Sequence, residues 1–347
     1  MARIAILGAG MMGTAFAFPA ADNGHEVRLV GTPLDGAIVE RLLRDRVHPK
    51  LGVRVPDGVV PFPVSRPEEA ARGADVVALG VSSAGIPWAS AVLERVLEDG
   101  VPLAMITKGL RFEGGRFRCF PDVIADALPA PLRARTSPVG VAGPCIAGEL
   151  ARRVETSVVF AGRDRAALDQ VAALFSGPYY HVHACMDVLG VEICAALKNA
   201  LAMGIGFAAG LHERQGGAPG SVAMHNHESA SFAEALREMA AVLAFAGCDP
   251  AHAMGLPGAG DLHVTCNGGR TGRFGKHLGT GVGLAKAIEA MEGATLECLE
   301  ILAVLREAQP ALREARCDLP MLEHLAEVAL DGAPVAMPFA RFFGRAP

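Results

Sequence analysis

The feature that most constrains this chain lies in its first thirty residues. An apolar run with strand character, Arg3-Ile4-Ala5-Ile6-Leu7, leads directly into Gly8-Ala9-Gly10-Met11-Met12-Gly13, then a helical stretch to Asn23-Gly24, then a second β-rich run from Glu26 to Val30. A GxGxxG between a strand and a helix belongs to a βαβ unit of parallel strands. The first glycine permits the tight turn, the second lets the backbone approach a pyrophosphate, and the third lets helix and strand pack closely. The amides of Met11 and Met12 fall at the helix N-terminus, where backbone N–H groups and the helix dipole favour an anion. In this setting the six residues predict a dinucleotide site rather than a purely structural turn.

The end of the second strand selects between dinucleotides. An Asp or Glu there would bind the adenosine ribose of NAD, but the sequence reads Gly31-Thr32-Pro33-Leu34-Asp35. The acidic residue is missing from its usual place. The Thr32 hydroxyl suits a free ribose hydroxyl or a 2′-phosphate, and no arginine follows it immediately. NAD and NADP both stay open, with a slight lean to NADP.

Alternating β-rich and helical stretches continue to about residue 184, through strand signals at 75–81, 103–106 and 139–142. They predict an α/β fold: an amino-terminal Rossmann domain with a mostly parallel sheet over 1–184, then an all-α domain over 185–347. Glycine-rich loops at 216–220 and 255–283 would interrupt the second domain's helices. A length of 347 residues suits two domains.

Composition narrows the function. A net charge of −5 argues against a nucleic-acid binder, which needs a broad basic surface. Mean hydropathy is positive, but the longest apolar stretch, 188–211, carries Glu192, Lys198 and Asn199 and reads as a buried helix rather than a membrane span. The chain opens straight into a strand without a signal-peptide pattern, so a cytoplasmic setting is expected. Eight cysteines without a CxxC pair read as free thiols. The stretch Met224-His225-Asn226-His227-Glu228 holds metal-ligand types, but its spacing matches neither HExxH nor a zinc finger, and no metal is expected.

Only five of the 32 basic residues are lysines, so each invites scrutiny. A nicotinamide-linked reduction leaves an alkoxide-like oxygen that needs a proton donor, and a poorly hydrated lysine suits the task. Lys198, within Ala195-Ala196-Leu197-Lys198-Asn199-Ala200-Leu201, is the best candidate. Lys108 follows the strand signal at 103–106, at the strand end where open α/β sheets bind ligands. The segment 258–273 concentrates amides, hydroxyls and guanidinium groups suited to a phosphate.

Five blocks, GAGMMG, TKGL, AGPCIAGE, GVEICAALKNAL and GLPGAGDLHVTCNGGRTGRFG, follow the order and spacing of NAD(P)-dependent glycerol-3-phosphate dehydrogenases. The chain resembles the archaeal-type branch most, including GTPLDGAIVERLL after the second strand. The resemblance implies reversible reduction of dihydroxyacetone phosphate to sn-glycerol 3-phosphate by a homodimer. It implies Lys198 as general acid or base, and Lys108 near the reacting oxygens and the cofactor. Asn199, Asp261 and Thr265 would position Lys198 and the substrate hydroxyls, and Arg270 would bind the substrate phosphate beside the cofactor. Glu297 matches an acidic position that contacts the cofactor, Gly143 opens a loop between cofactor and substrate, and Ala147 lies beside the dinucleotide.

The chain departs from that pattern in places. Thr271 stands where the family has Asn, Ala233-Glu234 where it has Thr-Arg, and Cys298 where it has Gly. These leave open a related dehydrogenase for another small phosphorylated or polyol compound, or a non-catalytic dinucleotide sensor. Lys198 and Asp261 speak against the sensor.

Overall fold

The structure, a computed structural model, describes residues 1–219, 224–293 and 295–344; Gly220, part of one expected loop, lies outside the described residues. The chain forms two compact units: Met1–Lys108 with Cys119–Val188, and Gly109–Arg118 with the chain from Leu189 onward.

The first unit is built on an eight-stranded sheet: β1 (Arg3–Leu7), β2 (Glu26–Val30), β3 (Val59–Phe62), β4 (Val76–Leu79), β5 (Leu103–Met105), β6 (Val139–Ala142), β7 (Thr156–Ala161) and β8 (Tyr180–Cys185). Their spatial order is 8-7-6-5-4-1-2-3. Strands β1 to β6 run parallel, and β7 and β8, parallel to each other, oppose β6. The 3-2-1-4-5-6 portion is the Rossmann order, with its reversal between β1 and β4. The register explains the apolar strands: Ile4 and Ile6 enter one core with Val27, Leu29 and Val76, while Ala5 and Leu7 enter another with Val30, Val77 and Leu79. A parallel sheet covered on both faces buries every residue of its central strands. Helix α1 (Met11–Asp22) places Phe16 against Phe175, with ring centroids 4.1 Å apart, in the first of these cores.

Among its described residues the second unit is helical apart from two short strands, Leu110–Glu113 and Arg116–Cys119, the last residue of which falls in the first unit. Phe117 of this hairpin meets Phe245 edge-on at 5.8 Å. That contact, together with the packing of Leu110–Glu113 on the helix Glu297–Glu314, groups Gly109–Arg118 with residues far downstream, which alternation along the sequence does not reveal. The units meet in sequence at Val188 and Leu189, against the expected 184 and 185.

The glycines of 255–283 need a correction. The segment is mostly helical: a π-type turn at Leu256–Gly260, then helices at Asp261–Gly268 and Arg270–Gly279, with a further helix, Leu284–Glu289, directly after it. Here glycine serves close packing rather than a loop. A Cβ on Gly275 would lie 2.0 Å from the Met203 carbonyl oxygen, and one on Gly210 2.1 Å from that of Lys276. The 270–279 helix thus presses backbone to backbone on Val188–Arg214, which a larger side chain would prevent. Val188–Arg214 is long and apolar enough to cross a membrane, yet 83% of its most apolar window is buried within the fold, as in a core helix.

Candidate active site

In the first unit the glycine loop leaves the carboxyl end of β1. Gly8 has φ +120°, a conformation that disfavours any residue with a Cβ. A Cβ on Gly13 would stand 2.1 Å from the Gly8 carbonyl oxygen, whereas one on Gly10 would meet nothing within 4 Å. The space over Gly10 is therefore open, and a methyl group there would stand where the motif brings a pyrophosphate close to the backbone. Helix α1 has no acidic residue in its first turn to occupy its N-terminus, so the amides from Met11 and Met12 suit a pyrophosphate. Two tests separate folding from binding. Gly10→Ala should leave the melting temperature within a few degrees of wild type and weaken NADPH binding at least about tenfold in a fluorescence titration. Gly13→Ala should lower both, with overpacking costing about 1–3 kcal/mol.

Other candidates in this unit lie at carboxyl ends of strands. Lys108 follows β5, where Thr107 donates through its hydroxyl to the Val81 carbonyl at 2.8 Å. Gly143, with φ +120°, follows β6, and Ala147 opens the short helix Ala147–Leu150 and packs on the sheet's core. Thr32 is more constrained than its sequence suggests. Its hydroxyl donates to Asp35 Oδ2 at 2.8 Å and accepts from the Leu34 amide at 3.2 Å, so the proton expected to serve a ribose or phosphate is held within the loop.

In the second unit Lys198 projects from the Val188–Arg214 helix and donates to Asp261 Oδ1, at the start of the Asp261–Gly268 helix. The Lys198 side chain is 12% exposed and that of Asp261 1%. Such a pair holds its geometry because separating it would leave a charge in a poorly solvated site. Thr265 donates to the Asp261 backbone carbonyl at 2.7 Å, which fixes the first turn beneath that carboxylate. Next along the long helix, Asn199 Oδ1 lies 3.5 Å from the Thr271 hydroxyl. Arg270, beside Thr271, gives a 2.7 Å bond to Glu297. The predicted residues of this unit thus group as Lys198 with Asp261, Asn199 with Thr271, and Arg270 with Glu297.

The remaining polar side chains have other tasks. Burial pushes the thiols of Cys266 and Cys298 up to about 12, so neither is a nucleophile at neutral pH. Glu234 is buried in a bidentate pair with Arg237, at 2.9 and 3.0 Å. Its neighbour Glu238 accepts from the Met321 and Leu322 amides at 2.6 and 2.8 Å, capping the Pro320–Asp331 helix. The departure at Glu234 therefore belongs to a structural network. His225 bonds Glu228 at 3.0 Å and the His227 ring lies 4.8 Å from that of Phe339, so the two histidines have different partners.

Two residues of the first unit that the sequence does not mark as site candidates, Asp35 and His48, converge on the glycine loop. Asp35 is the N-cap of helix α2 (Gly36–Asp45), yet its side chain makes no capping bond. It turns back to accept from the Ala9 and Thr32 amides at 3.1 and 2.9 Å. His48 reaches the Ala9 carbonyl at 3.2 Å. An aspartate just past the second strand was the available signal for the first; His48 left none.

The Rossmann order, the glycine loop and the Lys198–Asp261 pair define the class of nicotinamide-dinucleotide oxidoreductases with a helical second unit. Residues 3–168 match the family model for the NAD-dependent glycerol-3-phosphate dehydrogenase N-terminus, and 187–339 that for its C-terminus. The chain belongs to the NAD-dependent glycerol-3-phosphate dehydrogenase family. It is 34% identical over 333 residues to an NADP(+)-dependent glycerol-3-phosphate dehydrogenase of Archaeoglobus fulgidus, covering 96% of each chain. It is 31% identical over 336 residues to a glycerol-3-phosphate dehydrogenase [NAD(P)+] of Azotobacter vinelandii, covering 96% of this chain and 92% of that one. The fold superposes on the crystal structure of glycerol-3-phosphate dehydrogenase from Coxiella burnetii with a TM-score of 0.80 at 24% identity, over 98% and 97% of the two chains.

Proposed function

We propose that this chain catalyses the reversible, NAD(P)-dependent reduction of dihydroxyacetone phosphate to sn-glycerol 3-phosphate, as a cytoplasmic homodimer. The observation that carries the reading is the buried Lys198–Asp261 pair in the same unit as Arg270, Asn199 and Thr271.

Held by the glycine loop of Gly8, Gly10 and Gly13, a nicotinamide dinucleotide would supply the hydride that the carbonyl carbon accepts. As negative charge grows on the carbonyl oxygen, Lys198 Nζ gives it a proton, and in the reverse direction the neutral amine takes the alcohol proton back. Asp261 holds the ammonium in place. Asn199 and Thr265 order the groups around the substrate hydroxyls, and Lys108 adds a cation at the reacting oxygens. Arg270 exchanges the single carboxylate of Glu297 for the substrate phosphate, a stronger bidentate acceptor. Glu297 and Ala147 serve the cofactor. The lean to NADP agrees with the archaeal relative's stated dependence.

The phosphate contact gives the test. Oxidation of NADPH or NADH, followed by absorbance, is expected with dihydroxyacetone phosphate and to be far slower with dihydroxyacetone, which lacks the group Arg270 binds. Loss of a charged hydrogen bond costs about 1.5–3 kcal/mol, so Arg270→Ala should raise KM for the phosphorylated substrate about 10- to 100-fold. Equal use of both ketones would sink the assignment of substrate.

A further inference from the structure

The peptide of Ala9, at the centre of the glycine loop, is fully buried and held from three directions by side chains. Its N–H donates to Asp35 Oδ2 at 3.1 Å. Its carbonyl accepts from the Thr14 hydroxyl at 3.0 Å and meets His48 Nε2 at 3.2 Å. Thr14 belongs to the loop's own helix, but Asp35 and His48 come from the segment after β2, 26 and 39 residues away from Ala9. All three are buried, with Thr14 and His48 fully inaccessible and Asp35 8% exposed.

The hydrogen bonds fix the state of His48. The Leu51 amide donates to Nδ1 at 3.1 Å, so Nδ1 carries the lone pair, Nε2 carries the proton, and Nε2 donates to the Ala9 carbonyl. An imidazolium would set an N–H on Nδ1 against the N–H of Leu51. We propose that His48 and Asp35 are positioning residues for the dinucleotide: between them they clamp both polar groups of the Ala9 peptide, and only the neutral His48 imidazole serves Ala9 and the Leu51 amide together, which holds the ring in place.

This inference rests on the dinucleotide reading of the glycine loop and adds what keeps that loop in shape. A pyrophosphate read by backbone amides is held well only if the amides are already in place, because ordering them on binding would consume affinity. The charged groups facing His48 are Asp35, which favours the imidazolium, and Lys50 of its own turn, which opposes it. Arg152 approaches the same turn, donating to the Leu51 carbonyl at 3.1 Å. Burial is the largest influence and moves the imidazole below its ordinary range. A base with a lowered value in the folded state resists protonation that the unfolded chain accepts. Its support of the fold is therefore complete above the ordinary histidine value, about 6.5, and is lost as pH falls toward the lowered one.

Two substitutions separate the halves of the clamp. In His48→Gln the amide N–H₂ replaces Nε2–H and still reaches Ala9, without titrating. In His48→Asn the shorter side chain can accept from Leu51 but falls short of Ala9. NADP(+) binding to the intact protein, without substrate, is measured by calorimetry from about pH 7.5 to about pH 5, with thermal melts alongside. The ligand's own titration is common to all three proteins and drops out of the comparison. At the upper pH, His48→Gln is expected to bind within about threefold of wild type and His48→Asn roughly tenfold more weakly, the loss of one buried hydrogen bond. On acidification wild type should lose affinity more steeply than His48→Gln. Should His48→Asn fail to fold, the difference in pH slope between wild type and His48→Gln decides. Parallel slopes, or an Asn variant that folds and binds like wild type, would overturn the proposal while leaving the dinucleotide site intact. A well-folded wild-type protein that binds no dinucleotide would overturn the dinucleotide reading and this proposal with it.

Discussion

Lys198→Ala is expected to lower kcat for dihydroxyacetone phosphate by about 10²- to 10⁴-fold, the usual contribution of a placed general acid or base. The developing alkoxide has no equal proton source once the ammonium is gone, and water must take its place. NADPH affinity should stay within about threefold, because the glycine loop is held by its own neighbours, Asp35, Thr14 and His48. The alanine also leaves Asp261, 1% exposed, without its cation, so a lower melting temperature is expected. The kinetic loss must therefore be measured well below that temperature, with bound NADPH as the check on folded protein. A folded, NADPH-binding variant whose kcat stays within a factor of ten would remove Lys198 from the chemistry.

Asp261→Asn should be the most destabilising single change in the site, by about 3–5 kcal/mol. The asparagine keeps the shape of the carboxylate but not its charge, and a lysine ammonium only 12% exposed remains beside it. The cost comes from the charge left behind rather than from the bond removed, so removing both charges should cost less. In the double variant Lys198→Met with Asp261→Asn, stability should recover most of the loss, giving a coupling of several kcal/mol in a double-mutant cycle followed by urea unfolding. The double variant would still lack activity. If the two single effects simply add, the pair is not an electrostatic unit, and the account of how Lys198 is held must be abandoned.

The parts of this fold legible in the sequence are those whose chemistry is local. Gly8 and Gly13 are five residues apart and touch in space, so the motif contains its own structural reason. Lys198 stood out because its nearest neighbours are small and apolar, a local signal of burial. The clamp on Ala9 was not legible, since it joins residues 26 and 39 positions apart with no periodicity to mark them. Asp35 lies beyond the strand-end position where an acidic residue binds a ribose, and its carboxylate turns back to Ala9 rather than capping the helix it precedes.

Glycine misled for a physical reason. It suits turns because it adopts positive φ, and it suits helix contacts because it lacks a Cβ. At Gly275 the second use prevails, against the backbone of Met203, and composition alone does not separate the two. The grouping of Gly109–Arg118 with the helical unit likewise depends on distant partners, Phe245 for Phe117 and the helix Glu297–Glu314 for Leu110–Glu113, which nothing near residue 117 announces.

The central claim is that a hydride passes to the carbonyl carbon of dihydroxyacetone phosphate while Lys198 protonates the oxygen. The most direct measurement is the reduction of dihydroxyacetone phosphate with NADPH deuterated at both C4 positions, with the product analysed by mass spectrometry and NMR. One deuterium on C2 of sn-glycerol 3-phosphate, formed in equal amount to the NADP(+) released and lost when Lys198 is replaced by alanine, is the predicted result. Product without deuterium at C2, or no product from a protein that binds the dinucleotide, would contradict it.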